Sequence, residues 1–339
     1  MKFPSGRTSA LAATLFALTS AATPSGANAT DLHVTAASQT NLQTQLEMLA
    51  RRARPGTLGI AVLDLDSGKT WRVNADQSYP MMSVFKPAVA AALLDRIERG
   101  QNNFDQTVTL TRADLENGII RKQFQGTQMT FTVRQLMSYM VSQSDNTSVD
   151  ALLKLMGGPA VVASYLHAHG IDDLRVDRGE AGNAQLFEAL RPGETLPANE
   201  TDAQQDQRYL RGYHMFLADP GNRSTPDGAV LFLRKLWQRR LLSSASTQYL
   251  LDLMYAQTMP NRLMSGLPAG VKLADKCGTS ETWDGLTAAY NDIGIMTWPD
   301  GHTVIVAAFL TASNAPEDQR HALFVELAKS ISAALHPSP

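Results

Sequence analysis

Apolar residues recur at helical spacing through the middle of the chain and again at its end. A period of about 3.6 residues predicts helices over residues 41–53, 88–99, 133–143, 148–156, 159–169, 231–238, 246–257 and 317–335. The first and last of these carry the clearest apolar stripes. Leu42, Leu46 and Leu49 share one face of the first helix, and Phe324 and Leu327 share one face of the last.

Runs typical of β-strands lie close to the two ends of the chain. They cover residues 59–64, 70–73, 271–274, 288–298 and 303–310. Asp66-Ser67-Gly68 and Pro299-Asp300-Gly301 predict the turns that join neighbouring strands. Since strand signals occur at both ends and helix signals between them, the two ends are expected to pair in one sheet.

The predicted fold is α/β plus all-α. It has an antiparallel sheet built from both chain ends and flanked by helices, with a helical lobe inserted. Residues 30–80 and 262–339 would form the α/β lobe, and residues 81–261 the helical lobe. The cleft between the two lobes would hold the active site.

One stretch, residues 180–219, is long and polar and has little periodicity. The pattern favours an extended loop rather than a helix or a strand. Loops of this length inside a compact domain are usually functional or disordered. We therefore expect a loop here that is either functional or disordered.

Residues 1–29 have the composition of a secretory signal peptide. Lys2 and Arg7 form a basic start, residues 10–22 form an apolar run too short to span a bilayer, and Ala27-Asn28-Ala29 offers a cleavage site. We expect a periplasmic or secreted protein with no membrane association after cleavage. A retained membrane anchor is the alternative.

Composition excludes several function classes. The 339 residues are 44% hydrophobic and 18% charged, with a net charge of -2, so nothing points to nucleic acid or an anionic membrane as partner. Cys277 is the only cysteine, which rules out an internal disulfide and a thiolate metal cluster. His167 and His169 stand two residues apart, and no H-E-x-x-H motif occurs. We expect a monomer that acts on a small molecule without metal or cofactor.

The first candidate for chemistry is Ser83-Val84-Phe85-Lys86, at the start of an alanine-rich helical segment. If the helix starts near Ser83, the serine and the lysine share one face. A serine hydroxyl needs a base to remove its proton, and a lysine in a dry pocket can serve as that base. Taken alone, the tetrad describes a capping serine followed by a surface lysine equally well.

Two further motifs follow along the chain. Ser144-Asp145-Asn146 comes directly after the helix over residues 133–143, and Lys276-Cys277-Gly278-Thr279 closes a predicted strand. Each by itself fits a helix cap or a strand end. The order S-x-x-K, S-D-N, K-x-G is the signature of class A β-lactamases and penicillin-binding proteins.

The chain resembles a class A serine β-lactamase from about Leu42 to the C-terminal helix. Residues 174–180 (L-R-V-D-R-G-E) are similar to the start of the omega loop of that family, and residues 219–226 to its end. The resemblance implies an omega loop over about residues 175–226, longer than is usual in the family. Arg262 matches a position where some members hold an arginine for the substrate carboxylate.

The resemblance implies hydrolysis of the β-lactam ring of penicillins, cephalosporins or both through a serine acyl-enzyme, giving antibiotic resistance. Ser83 would attack the lactam carbonyl, with Lys86 and Glu180 as candidate bases. Ser144 would relay a proton to the leaving nitrogen, and Glu180 would activate the water that frees the acyl-enzyme. The residues implied for substrate binding are Asn146, Arg262, Lys276, Cys277, Gly278, Thr279 and Ser280.

The third motif departs from the pattern of the family at Cys277, where a threonine or serine is usual. A thiol is a weaker hydrogen-bond donor than a hydroxyl. Cys277 therefore either weakens recognition of the substrate carboxylate or only fills a small position in the strand.

The omega loop departs from the family pattern as well. The asparagine expected four residues after Glu180 comes one residue early, as Asn183, and Glu194 offers an alternative base further along. Asn222 stands where the family usually has an aspartate that pairs with the arginine corresponding to Arg178. A neutral residue at this position predicts a loosely held loop.

Two other functions share the three motifs. A D-Ala-D-Ala carboxypeptidase or transpeptidase would have no need of a loop glutamate such as Glu180, and it usually carries a membrane anchor. A non-hydrolysing penicillin-binding sensor would acylate and stop, as the changes at Cys277 and Asn183 would allow. Many turnovers of nitrocefin, one turnover or none distinguish the three functions.

Overall fold

A computed structural model describes residues 29–191, 193–259 and 262–336, with side chains from residue 41 onward. Its helices are α1 (Ala29–Arg52), α2 (Lys86–Glu98), α3 (Ile119–Gln123), α4 (Val133–Ser142), α5 (Asn146–Met156), α6 (Pro159–Ala168), α7 (Glu180–Phe187), α8 (Asp202–Ala218), α9 (Pro226–Trp237), α10 (Ser244–Tyr255) and α11 (Glu317–Leu335). Its strands are β1 (Thr57–Asp64), β2 (Thr70–Val73), β3 (Tyr79–Pro80), β4 (Thr107–Thr111), β5 (Gln128–Thr132), β6 (Arg223–Ser224), β7 (Lys272–Thr279), β8 (Thr282–Trp283), β9 (Leu286–Thr297) and β10 (Thr303–Ser313). Residues 1–28 of the expected signal peptide lie outside the described residues.

The main sheet contains strands from both ends of the chain. Its order is β2-β1-β10-β9-β7, with β8 pairing onto β9, and every pairing is antiparallel. The prediction that the two chain ends build one antiparallel sheet is confirmed. β7, which carries Lys276 and its neighbours, lies at the end of this strand order, beside the helical residues of the middle of the chain.

The sheet is buried on both faces, which explains the continuous apolar runs of its strands. Along β1, Ile60 and Val62 pack with α1 and α11 on one face, while Ala61 and Leu63 face the helical middle on the other. The side chains of a strand alternate between the two faces of its sheet, so each face takes every second residue. α2 runs through the core of the helical middle, and its residues Lys86–Leu94 are all buried.

The observed elements agree with the predicted ones at most positions, but several were missed, among them the short helix α3, the hairpin of β4 and β5, and the helices α7 and α8. The hairpin of β4 and β5 is absent from the prediction, although Val108, Leu110, Met129 and Phe131 alternate with polar residues along its two short strands and pack against the core. The expectation of a long loop over residues 180–219 was wrong, since α7 and α8 both lie within it. Residues of both helices line one cavity together with Asn146 and Thr279.

The described residues from Ser38 onward form one compact unit, and the site lies within it. Among the described residues, no single helix has both the length and the apolar composition needed to cross a bilayer. The bent pair of α5 and α6, with 76° between them, meets that test only when the two are taken together.

Candidate active site

Ser83 lies in a short 3₁₀ turn, Met82–Phe85, that leads into α2. The α-helix begins at Lys86, two residues before the predicted start at residue 88, and Ser83 lies in the turn before it. A 3₁₀ turn has three residues per turn, which aligns Ser83 with Lys86. The Lys86 ammonium donates to Ser83 Oγ at 2.8 Å. Met82, directly before the serine, has φ +47°, a region of backbone conformation in which residues other than glycine are uncommon.

Lys86 contacts four other residues of the site. Its side chain is fully buried and donates to Ser144 O at 2.7 Å and to Asn146 Oδ1 at 2.6 Å, in addition to Ser83 Oγ. It also forms an ion pair with Glu180 Oε1 at 3.1 Å. The three segments named from the sequence around Ser83, Ser144 and Glu180 therefore converge on one ammonium group. A surface lysine, the alternative interpretation of the first motif, is excluded by this burial.

The S-D-N segment is held by the central residue of its motif. Asp145 is fully buried and caps α5 by accepting from the N–H and the hydroxyl of Ser148, both at 2.7 Å. Ser144 before it has φ +56°, which turns its carbonyl toward Lys86. Its hydroxyl oxygen accepts from Lys276 Nζ at 2.9 Å. Ser144 thus lies between two ammonium groups.

β7 brings the third motif against the 3₁₀ turn that contains Ser83. A Cβ at Gly278 would lie 2.4 Å from Met81 O and 3.1 Å from Ser83 N, so only glycine allows this approach. Asn291 on β9 holds the same segment by donating to the carbonyls of Pro80 at 2.8 Å and Met81 at 3.1 Å. Gly278 and Asn291 therefore fix the distance between β7 and the segment that contains Ser83.

Lys276 is fully buried, and this burial lowers the pKa of its ammonium to about 8, with the nearby Lys86 charge acting in the same direction. Its other acceptors are Cys277 O at 2.9 Å and Gln257 Oε1 at 3.4 Å. Gln257 also accepts from the Cys277 N–H at 3.2 Å and donates to the Asp275 carboxylate. The sequence analysis did not identify Gln257, which positions Lys276 from the end of α10.

Arg262 is 2% exposed and lies flat on the Tyr290 ring, with its guanidinium carbon 3.6 Å from the ring centroid. It donates to Gly278 O at 3.1 Å, to Asn291 O and to the hydroxyl of Thr279. Thr279 itself is exposed and lines the cleft. The positive charge of Arg262 thus faces the cleft through the Thr279 hydroxyl.

Cys277 and Ser280, two further residues implied for substrate binding, are both buried. Cys277 is 3% exposed, and burial raises the pKa of its thiol. Ser280 is 4% exposed; its hydroxyl donates to Glu281 O at 2.9 Å and accepts from the Ala289 N–H at 3.1 Å. The Ser280 hydroxyl is therefore engaged by the backbone of the sheet.

Glu180 is the first residue of α7 and is 4% exposed. Its Oε1 lies 3.4 Å from Ser83 Oγ. Asp150 on α5 anchors the helix start by accepting from the N–H groups of Glu180 at 2.7 Å and Ala181 at 2.8 Å. A Cβ at Gly179 would lie 2.0 Å from Asp150 Oδ1, so glycine is needed for this close approach. Asp150 was not identified from the sequence, although it lies four residues after Asn146 on the same helix.

Asn183, one turn along α7, is the partner of Glu180 that the sequence left unassigned. Its side-chain amide donates to Glu180 Oε2 at 3.3 Å. The carbonyl oxygen of the same side chain accepts from Arg178 Nε at 3.1 Å and from Asn222 Nδ2 at 3.3 Å. The alternative base, Glu194, accepts from the Arg191 N–H at 2.9 Å in an exposed part of the loop.

The neck of the omega loop is closed, contrary to the expectation of a loose one. Asn222 accepts from the N–H groups of Asp177 at 2.7 Å and Arg178 at 3.1 Å, and it donates to Arg178 O at 2.9 Å. The carboxylate partner of Arg178 is Asp219, three residues before the position considered from the sequence. A neutral Asn222 therefore binds the backbone of the neck, and Asp219 supplies the charge.

The chain is similar to known β-lactamases in both sequence and structure. The β-lactamase enzyme family matches residues 41–335. The extended-spectrum β-lactamase PER-1 of Pseudomonas aeruginosa is 32% identical over 300 residues, which are 87% of this chain and 88% of that protein. The β-lactamase VEB-1 of the same organism is 29% identical over 296 residues, which are 85% and 88% of the two chains.

Solved structures of β-lactamases also superpose on the chain. A β-lactamase from Chitinophaga pinensis superposes with a TM-score of 0.72 at 30% identity, covering 86% of this chain and 98% of that one. The class A β-lactamase of the last common ancestor of Gram-negative bacteria superposes with a TM-score of 0.71 at 32% identity, covering 87% and 99%. With its three motifs around one buried lysine, the chain belongs to the β-lactamase enzyme family, in its class A of serine β-lactamases.

Proposed function

We propose that the protein hydrolyses the β-lactam ring of penicillins and cephalosporins through an acyl-enzyme on Ser83, and thereby gives antibiotic resistance. The observation that carries this proposal is the position of Lys86. Its buried ammonium is within hydrogen-bond or ion-pair distance of Ser83, Ser144, Asn146 and Glu180. A nucleophile, a proton relay and a carboxylate base are thus held by one group.

In the acylation step that we propose, Ser83 Oγ attacks the lactam carbonyl while Lys86 or Glu180 takes its proton. Ser144 then gives a proton to the lactam nitrogen as the ring C–N bond breaks, and it takes a proton in turn from the base that deprotonated Ser83. Lys276 at 2.9 Å stabilises the negative charge on Ser144 during this transfer. The backbone N–H groups of Ser83 and Thr279 would stabilise the oxyanion.

The deacylation step uses Glu180. A water held against the acyl carbonyl gives its proton to this carboxylate and attacks the ester carbon, and Ser83 leaves with a proton returned to it. Asn183 orients the carboxylate from the far side, at 3.3 Å. Asn146 would bind the side-chain amide of the substrate. Lys276 and Thr279, the latter backed by Arg262, would bind its carboxylate.

Turnover of nitrocefin and intact-mass spectrometry together test this function. We expect many turnovers for the wild-type protein and a transient penicilloyl adduct with benzylpenicillin. Ser83→Ala should show neither, whereas the exposed Ser78→Ala, five residues away, should show both. A single turnover would instead indicate a penicillin-binding sensor, and no nitrocefin turnover together with cleavage of a D-Ala-D-Ala peptide would indicate a carboxypeptidase.

We also propose export to the periplasm as a monomer, with cleavage after residue 29 and with lobe boundaries near residues 80 and 262. The sequence pattern of residues 1–29 supports export. The mass of the mature protein from a periplasmic fraction, and its elution volume on a calibrated sizing column, test cleavage and oligomeric state separately. Retention of residues 1–29 in the mature protein would contradict the first.

A further inference from the structure

Helix α8 lies in the part of the omega loop that the family resemblance does not explain. Thr201 caps the helix by accepting from the Gln204 N–H at 3.3 Å, and Gln204 accepts from the Thr201 N–H at 2.9 Å in return. Tyr213 and Phe216 on its inner face are each 4% exposed. α8 is therefore a packed element and not a loose excursion of the chain.

The helix is fixed to α7 on one side. A Cβ at Gly212 would lie 1.9 Å from Phe187 O, so glycine permits direct contact between the two helices. The Phe187 ring stacks on Phe216 with centroids 4.2 Å apart. Arg208, 5% exposed, forms ion pairs with Glu188 and, at 2.9 Å, with Glu200. These contacts hold α8 against the helix that carries Glu180.

On its other side α8 reaches the strands beyond the third motif. The Tyr213 hydroxyl donates to Glu281 O at 2.6 Å. The Tyr209 ring packs on Trp283 with centroids 4.7 Å apart. The helix therefore bridges the omega loop and the segment after Thr279, on opposite sides of the cleft.

Helix α8 borders a cavity of about 480 Å³, which is also lined by residues of the proposed catalytic site. Asn146, Glu180 and Thr279 line one part of this cavity. The aromatic residues that line it are Phe187, Tyr209, Tyr213 and Trp283. A planar ring entering between these side chains would bury apolar surface and make stacked or edge-to-face contacts.

Four glutamates line the same cavity, which makes it unfavourable for a negatively charged group. Glu180 and Glu188 are paired with Lys86 and Arg208. Glu116 and Glu281 also line it, and no cationic side chain of the described residues lies within ion-pair distance of either. An anionic group on the substrate side chain would be repelled here, and a neutral or cationic group would not.

We propose that α8 supplies the specificity residue Tyr209, which binds the uncharged or cationic aromatic acyl side chain of a β-lactam against Phe187 and Trp283, while the buried Tyr213 holds α8 to the segment of Glu281. This inference rests on the proposed function. It assigns to the inserted helix a role in substrate choice, separate from the bond-breaking steps at Ser83 and Glu180.

The test compares two penicillins that differ in the side chain alone. Benzylpenicillin carries a phenylacetyl group, and 6-aminopenicillanic acid carries none. Tyr209→Ala should lower kcat/KM for benzylpenicillin by about tenfold and leave that for 6-aminopenicillanic acid within about twofold. Tyr209→Phe, which keeps the ring, should restore the wild-type ratio. Leu210→Ala, on the outer face of the same helix at 38% exposure, is the matched control.

Equal losses for both substrates in Tyr209→Ala would overturn the inference, because they would indicate a purely structural role for α8. If Tyr209→Ala changes kcat/KM for neither substrate, the inference is overturned as well. The wild-type protein tests the charge preference without any variant: carbenicillin, which adds a carboxylate beside the same phenyl ring, should have a kcat/KM at least about tenfold below that of benzylpenicillin. Equal values would remove the carboxylates from the proposal. If the wild-type protein hydrolyses none of the three penicillins, the proposed function itself fails.

Discussion

Asn183 Nδ2 lies 3.3 Å from Glu180 Oε2, while Glu180 Oε1 lies 3.1 Å from Lys86 Nζ and 3.4 Å from Ser83 Oγ. Each carboxylate oxygen is therefore held by a different partner. Together with the two N–H groups that Asp150 accepts, these contacts fix both the backbone and the side chain of Glu180. A base held in this way needs little reorganisation when a water has to be deprotonated.

The first prediction concerns deacylation. Glu180→Gln should still form the acyl-enzyme on Ser83 but lose its base for water, so that hydrolysis of the adduct slows by at least about 10²-fold. An intact-mass time course after mixing with a penicillin measures the lifetime of the adduct.

Glu194→Gln is the matched control, because Glu194 lies on the same loop and accepts from the Arg191 N–H three residues before it, away from Ser83. This variant should clear the adduct at the wild-type rate. The assignment of the base is wrong if Glu194→Gln accumulates the adduct and Glu180→Gln does not.

A second prediction follows from the contact between Arg262 and Thr279. Arg262→Ala should mainly raise KM for a penicillin, with a loss of about 1.5–3 kcal/mol in transition-state binding, as for a hydrogen bond to a charged group. Because Arg262 faces the cleft through the Thr279 hydroxyl, its effect should overlap with that of Thr279→Ala.

A double-mutant cycle on these two residues measures that overlap. We expect the double variant to lose clearly less than the sum of the two single losses. Strictly additive losses would show that Arg262 and Thr279 bind the substrate independently, or that the arginine acts through its packing on Tyr290.

A third prediction concerns the thiol of Cys277. Its burial and its raised pKa both disfavour the reactive thiolate, so a disulfide reagent such as DTNB should not label the native protein or slow it. After unfolding, one thiol per chain should react. Rapid labelling of the native protein with loss of activity would show that the cleft exposes Cys277.

Substitution separates the two interpretations of the same residue. If the site gains from a hydroxyl, Cys277→Thr should raise kcat/KM, above all for cephalosporins. If the thiol only fills space between β7 and its neighbours, Thr and Ser variants should be neutral. A tenfold or greater loss (about 1.4 kcal/mol) in Cys277→Ser would contradict both interpretations.

The first two residues of the candidate site could be predicted from the sequence because their spacing is local. Ser83 and Lys86 are three residues apart, so any helical turn brings them together. Ser144 and Lys276 were found from tripeptide motifs that happen to end a helix and lie in a strand. The sheet likewise followed from the positions of strong apolar runs at the two chain ends.

The missed features depend on how distant segments meet. Asp219 pairs with Arg178 only because the loop returns beside its own start, and no periodicity reports such a return. The asparagine partner was sought four residues after Glu180, but residues three and four apart both lie on the same helical face, so Asn183 serves as well.

α8 could have been found. Its Thr201-x-x-Gln204 capping box precedes Tyr209, Tyr213 and Phe216, which are spaced four and three residues apart and share one helical face. The many charged and amide residues around them hid this narrow stripe. The sequence could not predict the surface that α8 forms with Glu281 and Trp283, because these residues lie far from it along the chain.

The last prediction uses the pKa of Lys276, which burial lowers from 10.5 to about 8. If the Lys276 ammonium binds the substrate carboxylate and supports Ser144, kcat/KM should fall as the pH rises through about 8. Lys276→Arg keeps its charge over this range, because a guanidinium does not deprotonate, so the alkaline limb of its kcat/KM profile should move to higher pH.

The free energy of unfolding should rise over the same pH range in which kcat/KM falls. Between pH 8 and 10.5 the unfolded chain holds a proton on Lys276 that the folded chain has lost, so this group makes the folded state more stable as the pH rises. A fall in kcat/KM near pH 8 without a fall in the melting temperature therefore identifies titration in the site rather than unfolding. A wild-type profile that stays flat to pH 10, or an alkaline limb that Lys276→Arg leaves in place, would remove Lys276 from substrate binding.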